Sequence, residues 1–242
     1  MFGGKHRNQT DCATVQARPD AGRRELHKKR TDAIYYRLAG LYSFFRMKDG
    51  LDTVLELMEL SEGQKVLDVG TGPGVYALHV AQNWPSCSVH GLDRCERFVR
   101  IAARKARRRK VFNAHFAVGD AESVHYGAEL FDRILFAGTL VLVPDKAAAI
   151  AEAHRVLKPG GVAIFKELLQ KKFLHKELFY IFWRVCVKGA GLVWKDVRGI
   201  TRSDYEGHTF SQEEMCRLLR ESSFSDYRVF SKGTRLYAVC RK

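Results

Sequence analysis

The chain has 242 residues, 46% of them hydrophobic, which is enough to bury one core and favours a single α/β domain with additions. Its formal net charge of +14 indicates an anionic partner, either nucleic acid or an acidic membrane surface, unless the charge only serves solubility. A membrane-spanning helix is not expected, because no segment reaches roughly 18 consecutive apolar residues. A secretory signal is not expected either, because "MFGGKHRNQT" contains no apolar core.

Cysteine usage indicates a reducing compartment. None of the six cysteines forms a C-x-x-C pair, and none has zinc-ligand spacing beside histidines. We therefore expect reduced, mostly buried thiols, no metal site and a cytoplasmic location. The six residues are Cys12, Cys87, Cys95, Cys186, Cys216 and Cys240.

The N-terminal part of the chain divides into an arm and a helical cap. Residues 1–30 are polar and basic without clear periodicity, which predicts a flexible arm. Residues 31–242 are interpreted as a single domain. Within residues 31–60, the stretches "AIYYRLAGLYSFF" and "LDTVLELMEL" predict two cap helices, the second ending near Gly63.

From residue 65 onward, short β-type runs alternate with helical stretches. This alternation predicts right-handed βαβ units, and hence an α/β fold with a parallel sheet covered by helices on both faces. The predicted strands are residues 65–69, 88–92, 114–118, 132–138 and 162–168. The predicted helices are residues 74–84, 96–110 and 145–157, the last one stopped by "KPGG".

After residue 169 the alternation ends. A long aromatic and basic stretch, "KKFLHKELFYIFWRVCVKGAG", is predicted to be helical. Ser211 and Glu214 form a capping box that predicts the start of a further helix. "DYRVFS" and "TRLYAVCRK", joined by a tight turn at "KG", predict a closing antiparallel pair of strands.

Three glycines, Gly70, Gly72 and Gly74, follow the first predicted strand directly and precede a helix. A strand, a glycine loop and a helix bring a polar or anionic ligand against backbone N–H groups at the helix N-terminus. The dinucleotide-binding fingerprint would place its third glycine at position 75, where Val75 stands. The alternative interpretation is a tight turn without a ligand.

Acidic residues follow three successive predicted strands or lie within them: Asp68, Asp93 and Asp120. A carboxylate at the end of the second strand can accept hydrogen bonds from both hydroxyls of a ribose. Asp120 could accept from an exocyclic amine, with backbone amides of the next residues nearby. Each acid alone is compatible with a helix cap or a solvated loop, but together they predict a nucleoside site at one edge of the sheet.

The segments "VLDVGTGPG", "GLDRCE", "VGDAESV", "FDRILFAGTLVLV" and "AHRVLKPGG" resemble the ordered motifs of class I S-adenosylmethionine-dependent methyltransferases. The most similar subgroup contains the ubiquinone/menaquinone C-methyltransferases, the methyltransferase type 11 group. The resemblance runs from residue 33 to the C-terminus. It implies a Rossmann-like seven-stranded, mostly parallel sheet whose last strand is antiparallel, with S-adenosylmethionine as cofactor.

The resemblance also implies roles for individual residues around that cofactor. Asp93 would hold the ribose, and Arg94 would flank the adenine. Asp120 and Ala121 would hold the adenine edge. The methionine end would be surrounded by Asp68, Gly70, Thr71, Gly72 and Gly74, and Phe136 and Ala137 would offer backbone carbonyls to its amino group.

Catalysis by such an enzyme needs little beyond positioning. A sulfonium methyl group is already electrophilic, so the protein aligns the acceptor with it and excludes water. If the acceptor must lose a proton, four residues are candidates for a base or an orienting group: Tyr36, Tyr42, His125 and His208. A surface histidine or a packed tyrosine is the alternative for each. The family often has an acid after the tyrosine, whereas Ser43 follows Tyr42 here.

The methyl acceptor is predicted from the absence of two nucleobase-methylating motifs and from the character of two segments of the chain. The place of the amino-methylating motif of nucleobase enzymes reads "FAGTLVLVPD", and the Pro-Cys nucleophile of cytosine-C5 enzymes is absent. An insertion at about residues 170–208 lies where related enzymes build part of the acceptor pocket. The wide apolar face of residues 171–194 suits a hydrophobic pocket, a membrane interface or an ordinary core helix.

A second segment, residues 96–110, carries eight cationic side chains. They suit acidic lipid or RNA, or simply a solvated helix face. The sequence thus favours methyl transfer to a lipophilic or aromatic small molecule, quinone-like or lipid-like, by a cytoplasmic enzyme with a peripheral membrane contact. The alternatives are an RNA methyltransferase and a catalytically silent cofactor-binding protein. The eight residues are Arg97, Arg100, Arg104, Lys105, Arg107, Arg108, Arg109 and Lys110.

Overall fold

A computed structural model describes residues 50–169 and 209–242 of the chain. The flexible arm, the first cap helix, most of the insertion and the candidates Tyr36, Tyr42 and His208 lie outside these residues. The helices are α1 (Leu51–Met58), α2 (Val75–Asn83), α3 (Glu96–Arg108), α4 (Lys146–Val156) and α5 (Gln212–Arg220). The strands are β1 (Lys65–Val69), β2 (Ser88–Asp93), β3 (Ala114–Val118), β4 (Phe131–Ala137), β5 (Leu157–Leu168), β6 (Asp226–Lys232) and β7 (Arg235–Arg241).

The strands form one seven-stranded sheet in the order β3-β2-β1-β4-β5-β7-β6. The pairs among β1 to β5 are parallel, whereas β7 is antiparallel to both β5 and β6. This arrangement confirms the predicted fold class, including the antiparallel last strand. The carboxyl ends of the parallel strands therefore meet at one edge of the sheet, where α/β proteins bind their ligands.

Each face of the sheet supports its own apolar layer. Strand residues alternate between the two faces, so Ile134 and Phe136 of β4 pack in one layer and Leu135 packs in the other. Helices α4 and α5 contribute to the first layer, and α1 and α2 to the second. Three of the four cysteines in the described part are buried: Cys87, Cys95 and Cys240.

Helix α1 ends at Met58, earlier than the expected stop near Gly63. Glu59 takes a left-handed conformation (φ 44°), and its N–H donates to the carbonyl of Glu56. The guanidinium of Arg133 in β4 donates to the carbonyls of Met58 and Glu59, 2.9 Å away in the second case. The last carbonyls of the helix are thus bonded to the sheet, which a local sequence pattern does not reveal.

The expectation that strand five begins at residue 162 was wrong, because β5 starts at Leu157, directly after α4. "KPGG" lies inside an irregular part of this strand. Phe131 pairs with Leu157, and the register then shifts so that Arg133 pairs with Val162. Gly160 adopts φ 75° within this irregularity, and its N–H donates to the carbonyl of Lys242 (2.7 Å). The two glycines therefore shape a bulge rather than a stop.

Helix α3 presents its cations outward. Phe98, Val99, Ala102 and Ala106 are buried against the body of the domain. The acid in its first turn, Glu96, bonds Arg100 one turn along. Lys105 is the exception among the cations: it is partly buried, and its Nζ donates to the carbonyl of Pro73 (3.2 Å). One cation of this helix is therefore tied to the glycine loop.

Candidate active site

The loops after β1, β2, β3 and β4 surround one cleft at the carboxyl edge of the sheet. Eight of the predicted cofactor residues line this cleft: Gly70, Thr71, Gly72, Asp93, Arg94, Asp120, Ala121 and Ala137. Asp68, Gly74 and Phe136 are not among the lining residues, and both Asp68 and Phe136 are buried. The structure thus brings together most of the set that the sequence predicts.

The three glycines of the loop serve different purposes. A Cβ on Gly70 would stand 2.1 Å from Oγ1 of Thr139, and one on Gly74 would stand 2.9 Å from Cβ of Ala102. Gly70 and Gly74 are therefore required by the packing of the protein itself. A Cβ on Gly72 (φ 55°) would meet nothing within 4 Å. Because Gly72 lines the cleft, the open space beside it is where a ligand can approach the backbone.

Asp93 fixes the glycine loop from the end of β2. Its Oδ2 accepts a hydrogen bond from the N–H of Gly72 (2.8 Å), and its Oδ1 accepts one from the N–H of Cys95 (2.8 Å). The second bond lies at the start of α3. A carboxylate offers about four acceptor positions, so these two bonds are compatible with further donors such as ribose hydroxyls.

Asp120 follows β3 and lies two residues beyond its last residue, Val118. Its Oδ1 accepts a hydrogen bond from the N–H of Glu122 (3.1 Å). The N–H of Gly119 donates to the backbone carbonyl of Asp93 (3.1 Å). This bond holds the Asp120 loop beside the Asp93 loop, so the two acids share one side of the cleft.

Asp68 lies under the loop and is almost completely buried. Thr71 Oγ1 donates to its Oδ2 (2.7 Å), while Oδ1 has no hydrogen-bond partner within residues 50–169 and 209–242. Burial raises the pKa of Asp68 to about 7, against the lowering effects of Thr71 and the Ala77 backbone N–H, and the nearby carboxylate of Asp93 raises it further. The loop thus rests on a carboxyl group that titrates near neutral pH.

The cleft residues that the sequence did not predict include four with polar side chains: Tyr76, Thr139, Lys166 and Arg235. Thr139 donates from Oγ1 to the carbonyl of Val69 (3.1 Å), which joins the ends of β1 and β4. Lys166 is 6% exposed and directly follows the buried apolar run of β5. A lysine within "VAIFKEL" was the available signal, because a strand buried on both faces rarely contains one.

The structure does not bring the described catalytic candidate to the cleft. His125 is exposed in the loop before β4, and it is not among the residues that line the cleft. With Tyr36, Tyr42 and His208 outside the described residues, the role of all four stays a prediction. The cleft itself offers the groups needed to position a ligand.

The sheet order, the glycine loop and the acids in or after β1, β2 and β3 agree with the class I methyltransferases that the sequence resembles. Residues 66–161 match the family model described as a methyltransferase domain. A demethylmenaquinone methyltransferase of Geobacillus kaustophilus is 27% identical over 212 residues, 83% of this chain and 88% of that protein. A chloroplastic 2-methyl-6-phytyl-1,4-hydroquinone methyltransferase of Oryza sativa subsp. japonica is 31% identical over 96% of this chain and 64% of that protein.

Solved structures agree on the fold. A SAM dependent methyltransferase from Aquifex aeolicus superposes with a TM-score of 0.62 at 20% identity, covering 82% of this chain and 92% of that one. The protein is an S-adenosylmethionine-dependent methyltransferase with S-adenosylmethionine as its cofactor, and it is similar to the class I quinone methyltransferases. In the part of the chain that the structure describes, no helix is long and apolar enough to cross a membrane.

Proposed function

We propose that this enzyme transfers a methyl group to a lipophilic, quinone-like aromatic acceptor. The observation that carries the proposal is the cleft, in which the acids and the glycine loop occupy one part and Leu142, Val143 and Pro144 line another. The printed names of the relatives, which concern demethylmenaquinone and a phytyl hydroquinone, support an acceptor of this class. A polar nucleoside part beside an apolar part suits a cofactor next to a hydrophobic acceptor.

The proposed contacts follow the order of the strand ends. Asp93 accepts from the ribose hydroxyls, Arg94 flanks the adenine, and Asp120 with Ala121 holds its edge. The backbone of Gly70, Thr71 and Gly72 faces the methionine end, with Asp68 and Gly74 supporting the loop from behind. Ala137 offers its carbonyl from the cleft wall, whereas the side chain of Phe136 lies in the core and contributes packing.

The bound cofactor supplies an electrophilic methyl group, so the protein has to orient the acceptor and exclude water. In this chain the Asp93 carboxylate pre-positions the loop amide of Gly72, which keeps the cleft shaped for its ligand. The apolar wall formed by Leu142, Val143 and Pro144 replaces water beside the acceptor. No proton-transferring group is needed for these tasks.

The test is methyl transfer from labelled S-adenosylmethionine to two acceptors, a prenylated hydroquinone and total RNA, with a reaction that contains no acceptor as the blank. Transfer to the hydroquinone is the expected result. Transfer to RNA alone would establish the alternative function of the same basic chain. Tight cofactor binding without transfer to either acceptor would favour a catalytically silent cofactor-binding protein.

An Asp93→Ala substitution is expected to weaken cofactor binding by about 10–100-fold, since charge-assisted hydrogen bonds contribute about 1.5–3 kcal/mol. The loss has two sources: the ribose contacts, and the unpaired N–H groups of Gly72 and Cys95. Calorimetry with S-adenosylhomocysteine measures it. An Asp145→Ala variant, which removes only the N-cap of α4, is the control and should bind normally. Unchanged affinity of the Asp93→Ala variant would contradict the proposed contacts.

We further propose that a cytoplasmic pool of this enzyme contacts anionic membranes through the outward face of α3. Arg104, Arg107 and Arg108 are exposed there, and Phe112, just past the helix, is 80% exposed. An exposed aromatic side chain beside clustered cations suits the interface of an acidic bilayer, where each cation contributes about 1 kcal/mol. A lipophilic acceptor would reside in the same bilayer.

Replacing Arg107 and Arg108 by glutamine should weaken binding to vesicles containing phosphatidylserine by about 30-fold. Vesicle co-sedimentation at physiological salt measures the change. The matched control replaces Arg217 and Arg220 of α5 by glutamine. These two arginines are also exposed, and their replacement removes the same amount of charge. Equal losses in the two double variants would mean that net charge, and not this surface, determines binding.

A further inference from the structure

The cleft continues past the glycine loop to the ends of β4 and β5, where two polar side chains meet. Lys166 of β5 and Tyr76 of α2 both line it. The Nζ of Lys166 lies within hydrogen-bond distance of the Tyr76 hydroxyl (2.5 Å) and 5.2 Å from the centroid of its ring. These two groups form a polar site in a wall that is otherwise largely apolar.

Burial of the Lys166 ammonium group at this position is unfavourable. The two residues before it in β5, Ile164 and Phe165, are completely buried, Glu167 after it is 1% exposed, and Lys166 itself is 6% exposed. Burying an ammonium group costs free energy unless hydrogen bonds and charge compensate it. An apolar residue would extend the core without that cost, so the presence of a lysine indicates a task for its charge.

The backbone of Gly50 leaves room for the ammonium group of Lys166. A Cβ on Gly50 would lie 3.2 Å from Nζ of Lys166 and 2.5 Å from the hydroxyl of Tyr237. Gly50 also has φ 78°, a conformation that favours glycine. The bare backbone at the start of α1 therefore lets the Lys166 ammonium and two tyrosine hydroxyls approach one another.

The position along the sheet edge assigns this pair to the acceptor. The acids that face the nucleoside follow β2 and β3, the glycine loop follows β1, and Lys166 lies on the opposite side of that loop, on β5. Leu169 directly follows β5 and forms a bridge with Phe210. The described residues on either side of 170–208, the predicted acceptor-side insertion, therefore meet at the end of β5, three positions after Lys166.

We propose that Lys166 and Tyr76 form an oxyanion site that binds and stabilises the ionised hydroxyl of a phenolic acceptor. The inference rests on the proposed function, because it requires a hydroquinone-like acceptor. Lys166 is then a catalytic residue, and Tyr76 holds the ammonium and donates from its own hydroxyl. An ammonium group has three donor positions, so it can bond both Tyr76 and the acceptor oxygen.

The chemistry balances without an added oxidant or metal. Loss of the hydroxyl proton to solvent gives a phenolate, whose negative charge makes the neighbouring ring carbon nucleophilic. That carbon forms a bond to the methyl group as the carbon–sulfur bond breaks, and the sulfonium becomes a neutral thioether. The ring carbon then releases its proton while the oxygen regains one, so the net reaction adds a methyl group and releases one proton.

The experiment compares Lys166→Met with the wild-type enzyme on two acceptors: a prenylated hydroquinone and its dimethyl ether. Methionine keeps the length of the side chain and removes the charge. We expect kcat/KM for the hydroquinone to fall by about 10–100-fold at neutral pH, and the rising limb of its pH profile, which reports ionisation of the hydroxyl, to move upward by about 1–3 pH units. Affinity for the dimethyl ether, which cannot ionise, should be the same in both proteins.

Controls separate this inference from the function on which it rests. Lys65→Met removes an exposed lysine at the opposite end of β1 and should leave activity unchanged. Tyr76→Phe should show a smaller shift in the same direction, and Lys166→Arg should restore the neutral-pH activity in part. Calorimetry with S-adenosylhomocysteine should give equal cofactor affinity for all of these variants.

Two results would overturn the inference in different ways. A wild-type enzyme that binds cofactor but methylates no hydroquinone would refute the proposed acceptor, and the oxyanion site with it. A wild-type enzyme that methylates the hydroquinone while Lys166→Met keeps its rate and pH profile would leave the function standing and refute only the site. If the methionine variant does not fold, the pH profiles of Tyr76→Phe and Lys166→Arg decide the question.

Discussion

A Gly72→Val variant is expected to fold and yet lose about 100-fold or more in affinity for S-adenosylmethionine. The Cβ position of Gly72 faces open space in the cleft, so the protein itself tolerates a side chain there. The branched side chain would occupy the space in which a ligand meets the loop amides. Overlap of this size costs about 3 kcal/mol or more, which corresponds to the predicted loss. Calorimetry with the cofactor and its demethylated product measures it.

The control for this variant must be a glycine with the same left-handed backbone conformation that lies outside the cleft. Gly63 has φ 74°, and its Cβ position also meets nothing within 4 Å, but Gly63 does not line the cleft. Placing a side-chain residue in the left-handed region costs about 1–2 kcal/mol in either case. Gly63→Val and Gly72→Val should therefore lose similar stability in urea unfolding. A comparable loss of cofactor affinity in both would show that strain, and not the ligand space, is responsible.

The sequence was sufficient to predict the sheet and the sheet edge that carries this site, because both follow from local sequence patterns. Alternating strands and helices predicted the parallel sheet, and acids placed after successive strands predicted which edge carries the site. Gly70, Gly72, Asp93 and Asp120 all reach that edge. The positions follow from one rule, that parallel strands point their carboxyl ends the same way.

The contacts within the site depend on pairs that are distant in the chain, and these were not predictable. The bond from Gly72 to Asp93 joins residues 21 positions apart and requires the pairing of β1 with β2. The meeting of Lys166 and Tyr76 joins residues 90 positions apart. No periodicity or motif encodes such a separation. The different purposes of Gly70 and Gly72 also became visible only once Thr139 was placed against the loop.

Buried Asp68 should make the free energy of unfolding depend on pH in a direction opposite to that of most acids. Its pKa is about 7 in the folded protein against 3.8 for an ordinary aspartate, chiefly because of burial. Between these two values the unfolded chain has released the proton and the folded protein retains it. The unfolded state then binds fewer protons, so stability falls as pH rises through this window and is constant above it.

The size of the effect is on the order of 4 kcal/mol, because each pH unit of the window corresponds to about 1.4 kcal/mol. An Asp68→Asn variant lacks the titrating group and can still accept the hydrogen bond of Thr71. Its stability relative to wild type should therefore rise steadily from pH 4 to pH 7 and then level off. Urea unfolding of both proteins across this range measures the difference.

A Glu152→Gln variant tests an acid whose pKa is lowered by folding, whereas that of Asp68 is raised. The hydrogen bonds from Arg155 lower the pKa of Glu152, so its contribution is present at neutral pH and is lost only as pH falls below the ordinary value for glutamate. The stability difference between this variant and wild type should be flat from pH 6 to pH 8, where the Asp68→Asn difference is still changing up to about pH 7. A flat difference for Asp68→Asn as well would mean that Asp68 is already ionised beneath the loop. The glycine loop would then rest on a fixed negative charge instead of a group that takes up a proton near neutral pH.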